Sequence, residues 1–389
     1  MPIYDLESVF DTARLLDPDY AKKMHFSKKE KNGLCILRYT KDFIRPDNIA
    51  TLGLLRSVII TKNKIVCFSP PKSLQCVDFT QKYVPAESVI ENYIEGTMVN
   101  CYFYDNKWNF STKGCIDGTN KFYHDSVLSF QAMFLEALEL SPISLSDLDT
   151  QYCYSFVLQH PANRIVVPFT KPSIILAAVF KCDGWKVEDK TAALWIELFE
   201  RKFPLPYRYL CQTWDEVEDR FASQATDYKI PGVMIKHSNG ARSKFRNPVY
   251  EKVRILKGNS PKLQYQYYVL YAKNSINEYL KYYPENKDEF WEYRKELINW
   301  TNQLFRLYHE VQVKRTMSRE DIPYQFRPHV WALHQYYLNE LKLKSEYITK
   351  KCVIDYICNL EPARLMYAIN YPTRKKNIES TTGVVTYAN

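Results

Sequence analysis

Two cations one residue apart, Lys244 and Arg246, flank Phe245 in a stretch that begins at Arg242. Alternate side chains of a strand share a face, so the three cations would stand in one row with Phe245 behind them. Such a row can neutralise phosphate, and an exposed basic edge that resists strand pairing has the same pattern. A second stretch, Tyr93-Ile-Glu-Gly-Thr97, places a phenol two residues before the acidic–glycine pair Glu95-Gly96. A third, Lys181-Cys-Asp-Gly184, places an amine in the same relation to Asp183-Gly184. A deprotonated primary amine attacks phosphorus and can hold a nucleotide covalently. A phenol with a pKa near ~10 keeps its proton at neutral pH and replaces that amine poorly.

Other chemistries find little support. The seven histidines, at positions 25, 124, 160, 237, 309, 329 and 334, show no metal-ligand spacing. The ten cysteines are scattered with no C-x-x-C pair, as expected of reduced thiols. No phosphate-binding G-x-x-x-x-G-K-[ST] loop, dinucleotide fingerprint or G-x-S-x-G elbow occurs. The N-terminus lacks the basic and apolar regions of a signal peptide, and the apolar run around 174–180 is too short to cross a bilayer. A net charge of +9 permits a polyanionic partner without requiring one. The 31 tyrosines would suit interfaces or base stacking, but coding bias is the simpler explanation, since Tyr, Asn, Lys and Ile rise together.

The elements that must position these residues read as follows. Residues 1–50 read as mixed helix and loop, with helical spacing over 10–16. Runs at 57–61 and 64–68 form a hairpin about Lys62-Asn63, and runs at 98–104 and 108–112 form another about Asp105-Asn106. Residues 126–140 read as a helix, 152–159, 164–167 and 173–180 as strands, and 191–199 and 214–225 as helices. Strand 232–236, the Asn239-Gly240 turn and an element at 244–250 follow. After about Pro261 the pattern is helical and aromatic. The expected division is a domain of residues 1–260, a helical domain of 261–372 and a flexible tail of 373–389.

The order of motifs resembles the bacteriophage-type ATP-dependent RNA ligases of the covalent nucleotidyltransferase superfamily. The likeness is carried by Tyr93-Ile-Glu-Gly-Thr97 with Phe110-Ser-Thr-Lys-Gly114, by Pro161-Ala-Asn-Arg-Ile-Val-Val167, by Ile230-Pro-Gly-Val-Met-Ile-Lys236, and by Lys244-Phe-Arg246 with Asn247-Pro-Val-Tyr250. It covers about residues 50–260 and implies an α+β fold: an antiparallel-sheet nucleotidyltransferase domain followed by a helical C-terminal domain. In that family a lysine two residues before the acidic–glycine pair takes AMP from ATP, carboxylates hold ribose and metal, and late-strand cations bind the phosphates.

The chain departs from that pattern at three positions. Tyr93 stands where the lysine belongs, residues 155–159 carry no acid, and Pro231-Gly232 replaces Glu-Gly. By the resemblance, Arg56, Glu95, Gly96, Lys113, Lys244 and Arg246 remain as the nucleotide- or phosphate-binding set. The literal Lys181 motif lies after the Asn-Arg-Ile stretch, whereas the family's nucleophile precedes it. The reading is a degenerate member, silent in adenylation, that binds nucleotide or RNA or serves as a structural module. An active ligase using another lysine, Lys181 or Lys113, is the rival, and ATP with Mg²⁺ enters only in that case. A purely structural assembly protein is the third reading. RNA or a protein is the expected partner, and the degenerate pattern resembles proteins of large DNA viruses, which places the chain in the cytoplasm, a viral factory or a virion.

Overall fold

The computed structural model describes residues 2–123 and 126–375. His124 and the tail beyond residue 375 therefore lie outside the described residues. The chain divides into two compact units, Met1–Arg254 and Ile255–Asn389.

The first unit is built on strands β1 (Ile3–Asp5), β2 (Phe26–Lys31), β3 (Leu34–Tyr39), β4 (Val58–Ile60), β5 (Ile65–Cys67), β6 (Ser88–Asn92), β7 (Thr97–Tyr104), β8 (Lys107–Thr112), β9 (Tyr152–Gln159), β10 (Ser173–Asp183), β11 (Lys186–Asp189), β12 (Arg208–Tyr209), β13 (Gly232–His237) and β14 (Arg242–Arg246). They form three sheets, ordered β1-β11-β10-β9-β7-β8, β12-β6-β13-β14 and β2-β3-β4-β5. All the pairings are antiparallel. With the helices this is the α+β architecture that the resemblance implies.

Local sequence explains most of these elements. Asp105 and Asn106 both take positive φ (55° and 56°), the geometry of a two-residue hairpin turn, and they join β7 to β8. Helix Phe130–Glu139 starts at Ser129, whose hydroxyl accepts the Ala132 N–H. That cap cuts the expected 126–140 helix short at its beginning. Helix Trp214–Phe221 is capped in the same way by Thr213 and ends before residue 225.

Four expectations are corrected. The region before residue 50 contains β2 and β3, and residues 10–16 make only a 3-10 turn at Thr12–Arg14. Strand β2 is Ser- and Lys-rich on its exposed positions, which masked it. Residues 164–167 form no strand. The 191–199 helix is confined to Trp195–Glu200. Residues 373–375, expected in the tail, are helical.

The second unit is helical, with its longest helix at Lys287–Tyr308. Phe290, Leu297, Trp300 and Leu304 from that helix are buried, at the spacing of a single apolar stripe. Trp291 lies off the stripe and is 55% exposed.

Candidate phosphate-binding cleft

Residue register in the β12-β6-β13-β14 sheet decides which side chains meet. Lys244 lies opposite Met234, Met234 opposite Glu91, and Glu91 opposite Arg208. Arg242 lies opposite Lys236, and Arg246 opposite Gly232. Residues directly opposite in a sheet share a face. One face therefore carries Arg242, Lys244, Arg246, Lys236 and Glu91. The other carries Ile90, Val233, Ile235 and Phe245, buried with Phe79, Val217 and Phe221. The predicted alternation of Lys244, Phe245 and Arg246 has this origin.

The polar face looks onto β7, β9 and β10. Between them lies a cavity of about 120 Å³ lined by Arg56, Glu91, Tyr93, Gly96, Met98, Val157, Ala177, Lys236, Arg242 and Lys244, among others. A second cavity, about 260 Å³, adjoins it and shares Glu91, Ala177, Lys236 and Arg242. A third, wider depression of about 690 Å³ shares Lys244 and adds Lys72, Phe245 and Arg246.

Tyr93 sits at the centre. Its N–H donates to the Gly232 carbonyl (3.0 Å). Its hydroxyl lies 3.1 Å from Lys244 Nζ, and the amine stands 4.2 Å from the ring centroid. Burial pushes the Lys244 amine down to about 6, and Arg242, Arg56, Arg246 and Lys72 press it the same way. Lys72 is lowered by burial and by the same arginines. Arg242 is lowered to about 10, first by burial and then by Arg56, and its Nε is buried with no hydrogen-bond partner. Among the described residues, Arg56, Lys72, Arg242 and Lys244 form no ion pair. Several uncompensated cations around one space make a site that an anion would relieve.

Glu91, which sequence reasoning missed, is the carboxylate lining the 120 Å³ cavity. It is spent on Lys236 (2.6 Å) and Arg208 (3.4 Å), themselves missed. Lys236 also donates to the Ala177 carbonyl (3.2 Å), beside the register shift between Leu176 and Ala178. Arg208 lies 3.2 Å from the Trp195 ring centroid. Period-two reading of the Lys236 and Glu91 strands would have found two of the three, but β6 itself was not foreseen.

Of the other expected residues, Gly96 lines the cavity and the rest separate from it. Glu95 does not line the cavity. Its buried carboxylate accepts the N–H groups of Val166 (3.0 Å) and Val167 (3.1 Å) and bonds Tyr250. Burial raises its pKa against the pull of those donors. Gly96 is there because its φ is +152° and a Cβ would lie 2.3 Å from the Leu158 carbonyl oxygen. Arg246 lines the outer depression, and Glu251 holds its guanidinium at 2.6 Å. Lys113 is exposed over the residue as a whole, while its amine is turned inward to 4.8 Å from the Tyr39 ring centroid. Partial burial, with Arg56, Arg38 and Lys72 nearby, lowers it to about 8. Lys181 is at the end of β10, opposite Tyr152 and Glu188, with Gly184 (φ +57°) turning the chain into β11. It is not among the residues lining these cavities.

A metal set is not formed. Among the described residues no three of His, Cys, Asp and Glu converge as ligands, and the cavity's Glu91 is already paired with two cations. On strand β9 the residue facing the cavity is Val157. All ten cysteines are free. Among the described residues no helix is long and apolar enough to cross a membrane.

No protein-family model matches the chain. Over 101 residues it is 34% identical to an RNA ligase of Rhodothermus phage RM378. That match covers 24% of this chain and 23% of the phage protein, so the chain spans under a quarter of this relative's length. Among solved structures it is similar to a putative ATP-dependent DNA ligase from Aquifex aeolicus, with 15% identity, TM-score 0.42, and coverage of 84% of this chain and 80% of that one. It is also similar to an archaeal ATP-dependent RNA ligase, with 11% identity, TM-score 0.41, and coverage of 95% and 80%. Over that 101-residue stretch the chain resembles the phage RNA ligase in sequence.

Proposed function

We propose that the N-terminal unit is an RNA-ligase-type module that holds the phosphates of a nucleotide, or of an RNA end, in the cleft beside Tyr93, and that it forms no lysine adenylate there. The observation that carries this reading is the group Arg56, Arg242 and Lys244, which line the central cavity and, among the described residues, form no ion pair, with Lys72 beside Lys244 in the outer depression, while the cavity's Glu91 is paired with Lys236 and Arg208. Cations held apart from counter-charges bind phosphate strongly, because the ligand removes their mutual repulsion. The adjoining 260 Å³ cavity, lined by Phe180, Ala178 and Pro71 beside polar groups, offers room for a base or sugar. The lysine adenylate is lost because the atom at the family's nucleophile position is a phenolic oxygen. In the helical unit, a groove of about 700 Å³ lined by Trp291, Arg294 and Lys287 is where RNA or a protein partner would dock.

Equilibrium dialysis with ATP and with a 5′-phosphorylated RNA oligomer, across a salt series, tests the reading. Binding should weaken as salt rises and drop sharply in Lys244→Met. Absence of binding at low salt favours a purely structural protein. An acid-labile nucleotide linked to any lysine would refute the second half of the proposal.

A further inference from the structure

A phenol is a weak nucleophile while it keeps its proton, but here its oxygen touches an amine. Lys244 Nζ donates to Tyr93 Oη at 3.1 Å, and once the amine is neutral the same distance lets it accept the phenolic proton. The pair faces the central cavity together with Arg56 and Arg242. Tyr93 also occupies the position two residues before Glu95-Gly96, where the resemblance places the nucleotidyl acceptor. We propose that Tyr93 is itself the acceptor: its phenolic oxygen attacks the α-phosphorus of a bound nucleoside 5′-triphosphate while the Lys244 amine takes the phenolic proton. The inference rests on the phosphate-binding reading of the same cleft.

The step balances within the site. A bond forms between Tyr93 Oη and the α-phosphorus. The bond from that phosphorus to the bridging oxygen breaks, and pyrophosphate leaves with the electron pair, its charge met by Arg56 and Arg242, which line the same cavity. The proton goes to Lys244 Nζ and from there to solvent. The product is a tyrosyl–nucleotide phosphodiester in place of a lysyl phosphoramidate. Lys244 suits the base role because burial and its arginine neighbours leave the free amine neutral near pH 7. A bound triphosphate draws it back towards the protonated form. The rate at low nucleotide therefore rises through about pH 6, and the saturating rate climbs to higher pH.

The full-length protein is incubated with each of the four α-³²P-labelled nucleoside triphosphates, with and without MgCl₂, and then denatured. The expected result is a label stable to acid, mapped to Tyr93 by mass spectrometry and absent in Tyr93→Phe. Lys244→Met should label at least about 100-fold more slowly at pH 7 and should lose the rise in rate through about pH 6 that Lys244 gives the native protein at low nucleotide. A purely structural lysine would leave that pH profile in place. Circular dichroism checks that both variants are folded, and equilibrium dialysis on the same samples measures nucleotide binding. In the native protein, binding without label overturns the acceptor proposal alone. Absence of both in the native protein overturns the phosphate-binding reading as well. A label that is acid-labile, or that survives in Tyr93→Phe, also overturns it.

Discussion

Phosphate binding in the cleft should take up a proton, and the amount follows from the surroundings of Lys244. Its amine is held at about 6, so at pH 8 roughly one molecule in a hundred carries the charge. A phosphate oxygen at about 4 Å contributes about 4 kcal/mol at the effective dielectric of a partly exposed site, equivalent to about three pH units. The bound amine would then titrate near ~9 and be about nine-tenths protonated at pH 8. The bound state holds more protons than the free state, so affinity falls as pH rises, by up to about tenfold per unit between ~6 and ~9. Lys113, held at about 8, adds up to about half a proton if the ligand reaches it, and Lys72 shifts in the same direction. Arg242, lowered only to about 10, stays charged at this pH and adds none, and Glu91 is committed to Lys236 and Arg208. The assay is calorimetric titration with ATP at pH 8.0, where its phosphates are ionised, in two buffers of different protonation heat. The difference in heat gives the protons taken up per ligand. An uptake under about 0.3 in the native protein would refute the reasoning. An unchanged uptake in Lys244→Met would do the same.

Three further outcomes follow from the geometry. Glu95→Gln leaves the Val166 and Val167 amides with a weaker acceptor, and should cost about 1–3 kcal/mol in denaturant unfolding while exposing both amides to faster hydrogen exchange. Gly96→Ala forces a Cβ to 2.3 Å from the Leu158 carbonyl at a φ that side chains avoid, so its thermal midpoint should drop more than that of any surface substitution. Free Lys244→Met should be more stable than the native protein, and the advantage should shrink as pH rises. The native amine binds fewer protons than the unfolded one between about pH 6 and ~10, so native stability increases through that window by up to about 1.4 kcal/mol per unit, a slope read by denaturant unfolding at pH 6.5 and 8.5.

The hairpins at 57–68 and 98–112 were legible because polar turn residues separate runs of apolar and β-branched ones, and the turn pair Asp105-Asn106 fixes the second register. The Lys244–Phe245–Arg246 alternation was legible for the same reason. Strand β6, which carries Glu91 and leads into Tyr93, was not: Ser88-Val-Ile-Glu-Asn92 is short, and only Ile90 and Glu91 are buried. Its burial comes from pairing with β13, more than a hundred residues away, which local pattern cannot register. Glu95 was assigned to the ligand because motif order says nothing about which way a side chain turns. The Val166 and Val167 amides had to be in place to show that it turns away.

That turned-away carboxylate separates the scaffold of the cleft from its reagent. Glu95 fastens residues 166 and 167 to the segment after β6, and the Tyr93 backbone is tied independently to Gly232. Neither tie uses the Tyr93 side chain. The functional group at this position could therefore be exchanged, phenol for amine or the reverse, with the surrounding framework left intact. Whether oxygen or nitrogen stands there would set how acid-stable any bond to phosphorus made at this position is, and an engineer could begin that exchange at position 93.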